Sequence, residues 1–263
     1  MAVVGASLVF AILLSAIVLP AVIPWDPTKM DIRNALQTPN ATHWLGTDHF
    51  GRDTLARLAH GARISLQVAL SATAVALIGG VILGSIAGYV GGIVDAVLMR
   101  FLDGFMAFPG ILLAIALVAA LGSGLFSLIV AIGIVSIPRF ARVVRGAVLQ
   151  KRDLDYIVAA RAIGKPEWLI LVSEILPNCM APIIVQITLR LPTTILSEAS
   201  LSFLGLGAPP PTPSWGRMLN DARGFMEISP ELAIFPGIAI FLTVLGFNLL
   251  GDGLRDVLDP RLR

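Results

Sequence analysis

Apolar residues in this chain come as long unbroken runs rather than at the three-to-four-residue spacing of surface helices. Met1 to Trp25 carries no charge, and neither do Ile64 to Val94, Gly104 to Pro138 or Leu232 to Gly251. Ile175 to Gly207 is similar but holds Arg190 and Glu198. A membrane-spanning helix needs ~20 mostly apolar residues, so each run supplies at least one span. Gly104 to Pro138 is too long for one straight span. "LGSGL" at 121–125 lies near its middle, where Gly-Ser-Gly can turn the chain, so this run is read as a helical hairpin. The expectation is an all-α integral membrane protein with six transmembrane helices in one domain, 1–263. Polar segments at 26–63, 139–174 and 208–231 connect the spans.

A soluble helical bundle does not fit, because amphipathic surface helices carry a recurring polar face. "ISLQVALSATAVALIGGVILGSIAGYVGGIV" has none. It does carry Gly80, Gly84, Gly88 and Gly92 at four-residue spacing. That spacing predicts a stripe on which another helix backbone packs closely.

Composition agrees: 56% of the 263 residues are hydrophobic and 14% charged, against ~45–50% and ~25% in soluble domains. A net charge of +2 gives no argument for nucleic acid. Cys179 is the one cysteine, so there is no disulfide or CxxC framework. The first 25 residues lack a basic start and exceed a signal peptide's ~7–15-residue apolar core. They are read as a retained span, with room for a missing cytoplasmic leader ahead of it. Six spans place both termini on one side. The segments on that side hold eleven Lys or Arg against seven on the other, with a dense cluster at Arg139, Arg142, Arg145, Lys151 and Arg152. The positive-inside rule makes that side cytoplasmic, although Arg57 and Arg63 stand on the other.

"DLDYIVAARAIGKPEW", 153–168, lies between spans four and five. Asp153 and Asp155 suit a helix N-terminus. Leu154, Ile157, Val158 and Ala162 give a modest apolar face, Gly164 can close the helix, and Pro166 suits the start of another. That next helix is expected from Glu167 to Leu176, broken by Pro177. An interfacial anchor resting on lipid headgroups is one reading. A knob docking into another protein is the other, favoured by slim alanines and a hard stop where an anchor would carry a broad aromatic or leucine face.

"YIVAARAIGKPEWLILVSEILPN" resembles the cytoplasmic loop motif of permease subunits in binding-protein-dependent ABC importers. That motif reads Glu-Ala-Ala, three residues, Gly, nine residues, Ile-x-Leu-Pro. Ala159, Ala160, Gly164, Leu176 and Pro177 match, whereas Val158 replaces the glutamate and Glu174 the isoleucine. "HWLGTDHFGRDTLARLAHGARISL", "GYVGGIVDAVLMRFLDGFMAFPGILLAI", "EASLSFLGLGAPPPTPSWGRML" and "NLLGDGLRDVLDPRLR" are similar to the dipeptide, oligopeptide and nickel branch of that family. The resemblance implies a bacterial inner-membrane permease that pairs with a homologous permease, two cytoplasmic ATPases and an extracytoplasmic binding protein. ATP and Mg would be bound by the ATPases, with no cofactor on this chain. It also implies that Asp155, Tyr156, Val158, Ala159, Ala160, Arg161, Gly164 and Lys165 couple to the ATPase. With Val158 in the glutamate's place, shape rather than a salt bridge would carry the contact.

Arg190 and Glu198 are costly inside a membrane, at ~2.5–3.5 kcal/mol each for a charge at a helix centre. Both are expected on the translocation pathway or against the partner permease, about 12 Å apart along one helix. A secondary transporter or channel using these two charges is the rival reading, weakened by the lack of an internal repeat. His49, Asp53, Arg57 and His60 would share a face if helical, as a cap or docking surface; no metal site is expected, since zinc-like ligand spacing is missing. Arg100 with Asp103, and the tail residues Asp252, Arg255, Asp256 and Asp259, are read as charges at the cytoplasmic edge. No phosphate-binding GxxxxGK[ST], HExxH or nucleophile elbow occurs, so the chain is not expected to be an enzyme.

Overall fold

In a computed structural model that describes residues 1–258, the chain is almost wholly helical, with one isolated bridge between Thr47 and Asp53. Asp259 lies outside the described residues. The long helices are α1 (Ala2–Val22), α2 (Thr54–Val90), α5 (Leu125–Lys151), α9 (Met180–Phe203) and α11 (Glu231–Leu258), each long and apolar enough to cross a membrane. Between α2 and α5 lie α3 (Gly92–Met106) and α4 (Gly110–Leu121), bent by 91° at their junction. The short helices α6 (Asp155–Ala162), α7 (Glu167–Ile170) and α8 (Leu176–Asn178) precede α9, and α10 (Trp215–Ala222) precedes α11.

Two expected boundaries move. Asp53 caps α2 by accepting a hydrogen bond from the Ala56 amide at 2.7 Å, so residues 54–63 are the first turns of the span rather than part of the connecting segment. Pro138 does not end its run: it removes one backbone donor, and α5 continues through the arginine cluster to Lys151. The hairpin turn at Gly122 to Gly124 forms as expected, with Gly122 at φ +85°. Its first arm, however, is the 12-residue α4, only ~18 Å long against an apolar membrane core of ~30 Å.

The direction of α5 explains how so short an arm suffices. A side chain at Gly80 would strike Phe140, one at Gly84 would sit 2.9 Å from Val144 Cβ, and one at Gly88 3.0 Å from Val148 Cβ. Positions rise together on both helices, so α2 and α5 run parallel, and α3 with α4 must carry the chain back across. This pair is a sixth, broken crossing. Three of the four stripe glycines therefore face α5. Gly92 does not: helix α2 ends at Val90, and Gly92 begins α3 with open space where its side chain would be.

Three apolar clusters hold the bundle. Leu66, Leu191, Ile195 and Phe247 join α2, α9 and α11, and we call the end of the bundle at which α2 starts the cap end. Val68, Val118, Leu128 and Leu201 join α2, α4, α5 and α9. Val144, Val148, Ile157, Ile170, Ile175 and Ile183 fasten the 152–179 segment to the opposite, loop end.

Candidate functional site

At the loop end α6 is held by one side chain. Ile157 is completely buried against Val144, Val148 and Ile170. Its neighbours Asp155, Tyr156, Val158 and Ala159 are exposed, as is Gly164, and Ile163 is 84% exposed. Ala160 is half-buried against the same cluster. Gly164 stands at φ +80°, a left-handed conformation that glycine adopts without penalty, and its amide donates to the Arg161 carbonyl. The turn is closed by Lys165, which pairs with Glu174 and donates to the Ser173 hydroxyl at 2.8 Å. Arg161 donates to Glu167 at 3.3 Å and lies 5.6 Å from the Tyr89 ring centre. Tyr89, on the last turn of α2, also donates to Glu167.

Arg161 and Lys165 thus brace the loop internally, while the other expected coupling residues form or support its outer face. The hydrogen bond from Tyr89 holds the Glu167 carboxyl below the usual range, and the Lys165 ammonium does the same for Glu174. Beyond Ile170 a π turn, Leu171–Ile175, leads into α8, so the expected second helix is continuous in path but not in hydrogen bonding. Glu174, where the motif has isoleucine, serves as the counter-charge to Lys165.

A second feature lies at the α3–α4 bend. There a cleft of about 260 Å³ opens between α5 and α9, lined by Phe105, Phe108, Ser136, Arg139, Arg190 and Thr193 among others. Arg190 faces this cleft. Glu198 does not: it is 1% exposed, accepts a hydrogen bond from Ser202 at 2.7 Å and has Ser65 and Ser214 beside it. Glu198 therefore ties α9 to α2 and the turn before α10, and the expectation that it lines a pathway is corrected. Arg139, counted in the sequence only as part of a basic cluster, shares the cleft with Arg190. Its neighbours Arg142 and Arg145 are paired with Asp103 and Asp95 on α3.

At the cap end Arg52 and Arg57 are 3% and 2% exposed yet charged. Arg52 donates to Asp48 at 2.6 Å and Arg57 to Asp221 at 3.2 Å, with Arg217 3.0 Å from the second Asp221 oxygen. Trp215 donates to the Leu58 carbonyl at 3.1 Å. These contacts clamp residues 26–53 and α10 onto the start of α2. Of the two basic residues that weakened the charge-asymmetry argument, Arg57 is consumed here, which the sequence hints at only through Asp48 and Arg52 at four-residue spacing, while Arg63 stays exposed.

The histidines do not share a helix face, because His43 and His49 precede α2. His43 contacts Asp53 at 2.8 Å, His49 stacks on Phe225 at 4.9 Å, and His60 bonds the Ala56 carbonyl. Burial pushes the His49 imidazole below its ordinary value, against the pull of Asp48 and Asp221.

Comparison with known proteins gives one answer. Residues 80–263 match the family model described as binding-protein-dependent transport system inner membrane component. The chain is 48% identical over its full length to the dipeptide transport system permease protein DppC of Alkalihalophilus pseudofirmus, covering 86% of that protein. It is 49% identical over 257 residues to the glutathione transport system permease protein GsiD of Pectobacterium atrosepticum, covering 97% of this chain and 85% of that one. Its fold is similar to a chain of the MetNI methionine ABC transporter in an inward-facing conformation, with TM-score 0.63, 18% identity, and coverage of 77% of this chain and 96% of that one. This multi-pass helical chain belongs to the family of inner-membrane permease components of binding-protein-dependent ABC importers.

Proposed function

We propose that this permease forms half of the pathway of an ATP-driven importer for short peptides or peptide-like solutes, and that α6 is the knob an ATPase subunit receives. Its named relatives handle dipeptide and glutathione, both peptides. The remaining partners in this reading are a homologous permease, two cytoplasmic ATPases that bind ATP and Mg, and an extracytoplasmic binding protein on the cap end. The loop end then faces the cytoplasm, with both termini on that side. One observation carries the docking assignment: α6 is anchored through Ile157 and braced through Arg161 and Lys165, while Tyr156, Val158 and Ala159 point away from the bundle.

ATP-driven closure of the ATPases would push on α6. The push reaches α2 through Tyr89 and Glu167 and reaches α5 through Ile157 against Val144 and Val148. Two bundle states whose balance ATP binding biases would then expose the cleft alternately to each side. A self-powered carrier would need Arg190 and Glu198 on a common path, and the burial of Glu198 removes half of that pair.

The test is Ala159→Glu, which leaves the Ile157 anchor untouched and places a bulky charge on the exposed face. We expect the ATPase subunits to fail to co-purify and ATP-dependent uptake in proteoliposomes to fall at least tenfold. Wild-type levels of both would remove the docking assignment. Uptake by the chain without any ATPase would remove the importer reading itself.

A further inference from the structure

The cleft at the α3–α4 bend has one sign of charge. Arg139 and Arg190 both line it, and among the described residues neither has a carboxylate within 4.0 Å. Both lie near the middle of their helices, Arg190 half-buried and Arg139 exposed to the cleft side. Arg139 is the fifteenth of 27 residues in α5 and Arg190 the eleventh of 24 in α9, so each is ~15–21 Å from either end of its helix. An unpaired guanidinium at such depth is costly, and two in one cleft repel each other as well. The arginines that are fully buried, Arg52 and Arg57, have their carboxylates supplied within the chain.

Each cleft arginine also lies close to a proline, Pro138 beside Arg139 and Pro192 two residues after Arg190. Each proline removes one backbone hydrogen bond from its span. The broken crossing completes the arrangement, since α4 shields α5 only as far as Val135, against which Gly110 packs. Ser136 and Arg139 are left facing the cleft, with Ser136 adding a hydroxyl and Phe105 and Phe108 adding apolar walls.

We propose that Arg139 and Arg190 form a carboxylate-binding station on the solute pathway, taking the terminal carboxylate of a peptide while the aromatic wall receives its side chain. This rests on the importer reading above and deepens it. A planar guanidinium matches a carboxylate through two parallel hydrogen bonds. A volume of about 260 Å³ accommodates one end of a short peptide, with the facing permease free to enclose the rest. The anion compensates the two unpaired charges only while solute is present, so the station binds in passing and does not trap.

The test uses the full complex. A Ser136→Cys thiol on a Cys179→Ala background is treated with an anionic sulfonate or a cationic ammonium methanethiosulfonate in the resting state. We expect the anionic reagent to react at least fivefold faster relative to the cationic one than in the same chain with Arg139→Gln and Arg190→Gln. An unchanged ratio, or a thiol neither reagent reaches, overturns the station.

Dialanine uptake in proteoliposomes then separates a solute from a partner residue as the counter-anion. Arg190→Gln should lower uptake about tenfold while ATPase stimulation by loaded binding protein stays within twofold, and Arg190→Lys should recover a large part of the uptake. Normal uptake by Arg190→Gln overturns the station and leaves the importer reading standing. Loss of ATPase stimulation in both Arg190 variants would assign the arginine to assembly and overturn it too. Absence of ATP-dependent uptake in the wild-type complex would remove both readings.

Discussion

At the scale of single residues, the loop that meets the partner is built from a few unequal contributions. Ile157 is the only fully buried residue of α6, so Ile157→Ala should cost about 2–5 kcal/mol of local anchoring. Hydrogen exchange in 155–163 would then quicken while exchange in α5 stays unchanged. Lys165 with Glu174, and Tyr89 with Glu167, form a pH-sensitive brace. Both carboxyls titrate below their ordinary value when folded. Their contribution is therefore complete above the ordinary glutamate value of about 4.3 and is lost as pH falls through the depressed ones. Exchange protection of residues 163–176 should be constant from pH 7 to 5 and fall below pH ~4. Lys165→Met should abolish that acid-dependent step at Glu174; an acid-dependent loss of the same size in the variant would show that another group is responsible.

At the scale of helices, what could be read in the sequence was what periodicity records. The apolar runs located every long span, and the four-residue glycine spacing located the α2 face that meets α5, because close backbone approach demands missing side chains. Gly92 misled because spacing alone cannot reveal that the helix ends two residues earlier. The same limit hid the 91° bend: "GFMAFPGILL" is apolar throughout, so hydropathy could not distinguish a straight span from a broken one. Glu198 and Arg190 looked alike because both are charges in one apolar run, and only the fold shows Glu198 turned toward Ser202 and Arg190 toward the cleft. The Arg57–Asp221 contact joins residues 164 positions apart, beyond any local pattern. Two helix-level outcomes follow. Gly84→Leu would drive a side chain into Ala141 and Val144, overpacking worth about 1–3 kcal/mol; thermal stability in detergent should fall, and more than for Gly146→Leu, where the space is open. Asp221→Ala would strip a carboxylate from Arg52, Arg57 and Arg217. A loss of about 3 kcal/mol is expected, visible as faster proteolysis of 26–53 and 204–230.

At the scale of the whole molecule, the parallel packing of α2 and α5 determines the topology. Two consecutive long helices can run parallel only if the chain between them returns, so α3 and α4 must together make a crossing despite their bend. Six crossings follow, with the 122–124 turn at the cap end and α6 at the loop end. The break in the third crossing also leaves one side of the bundle thin, and this is where the two arginines meet open space. Topology and site thus have a common origin in the shortness of α4. Single cysteines test this directly, because the sole native one, Cys179, is 1% exposed and can be replaced by alanine. In intact spheroplasts a membrane-impermeant thiol reagent should label Thr42→Cys and Ser123→Cys but not Ile163→Cys, with the pattern reversed in inverted vesicles. Labelling of Ser123→Cys from the side opposite Thr42→Cys, with Ile163→Cys labelled from the same side as Thr42→Cys, would make α3 and α4 a re-entrant loop, and the parallel pairing of α2 with α5 could then not survive in the membrane.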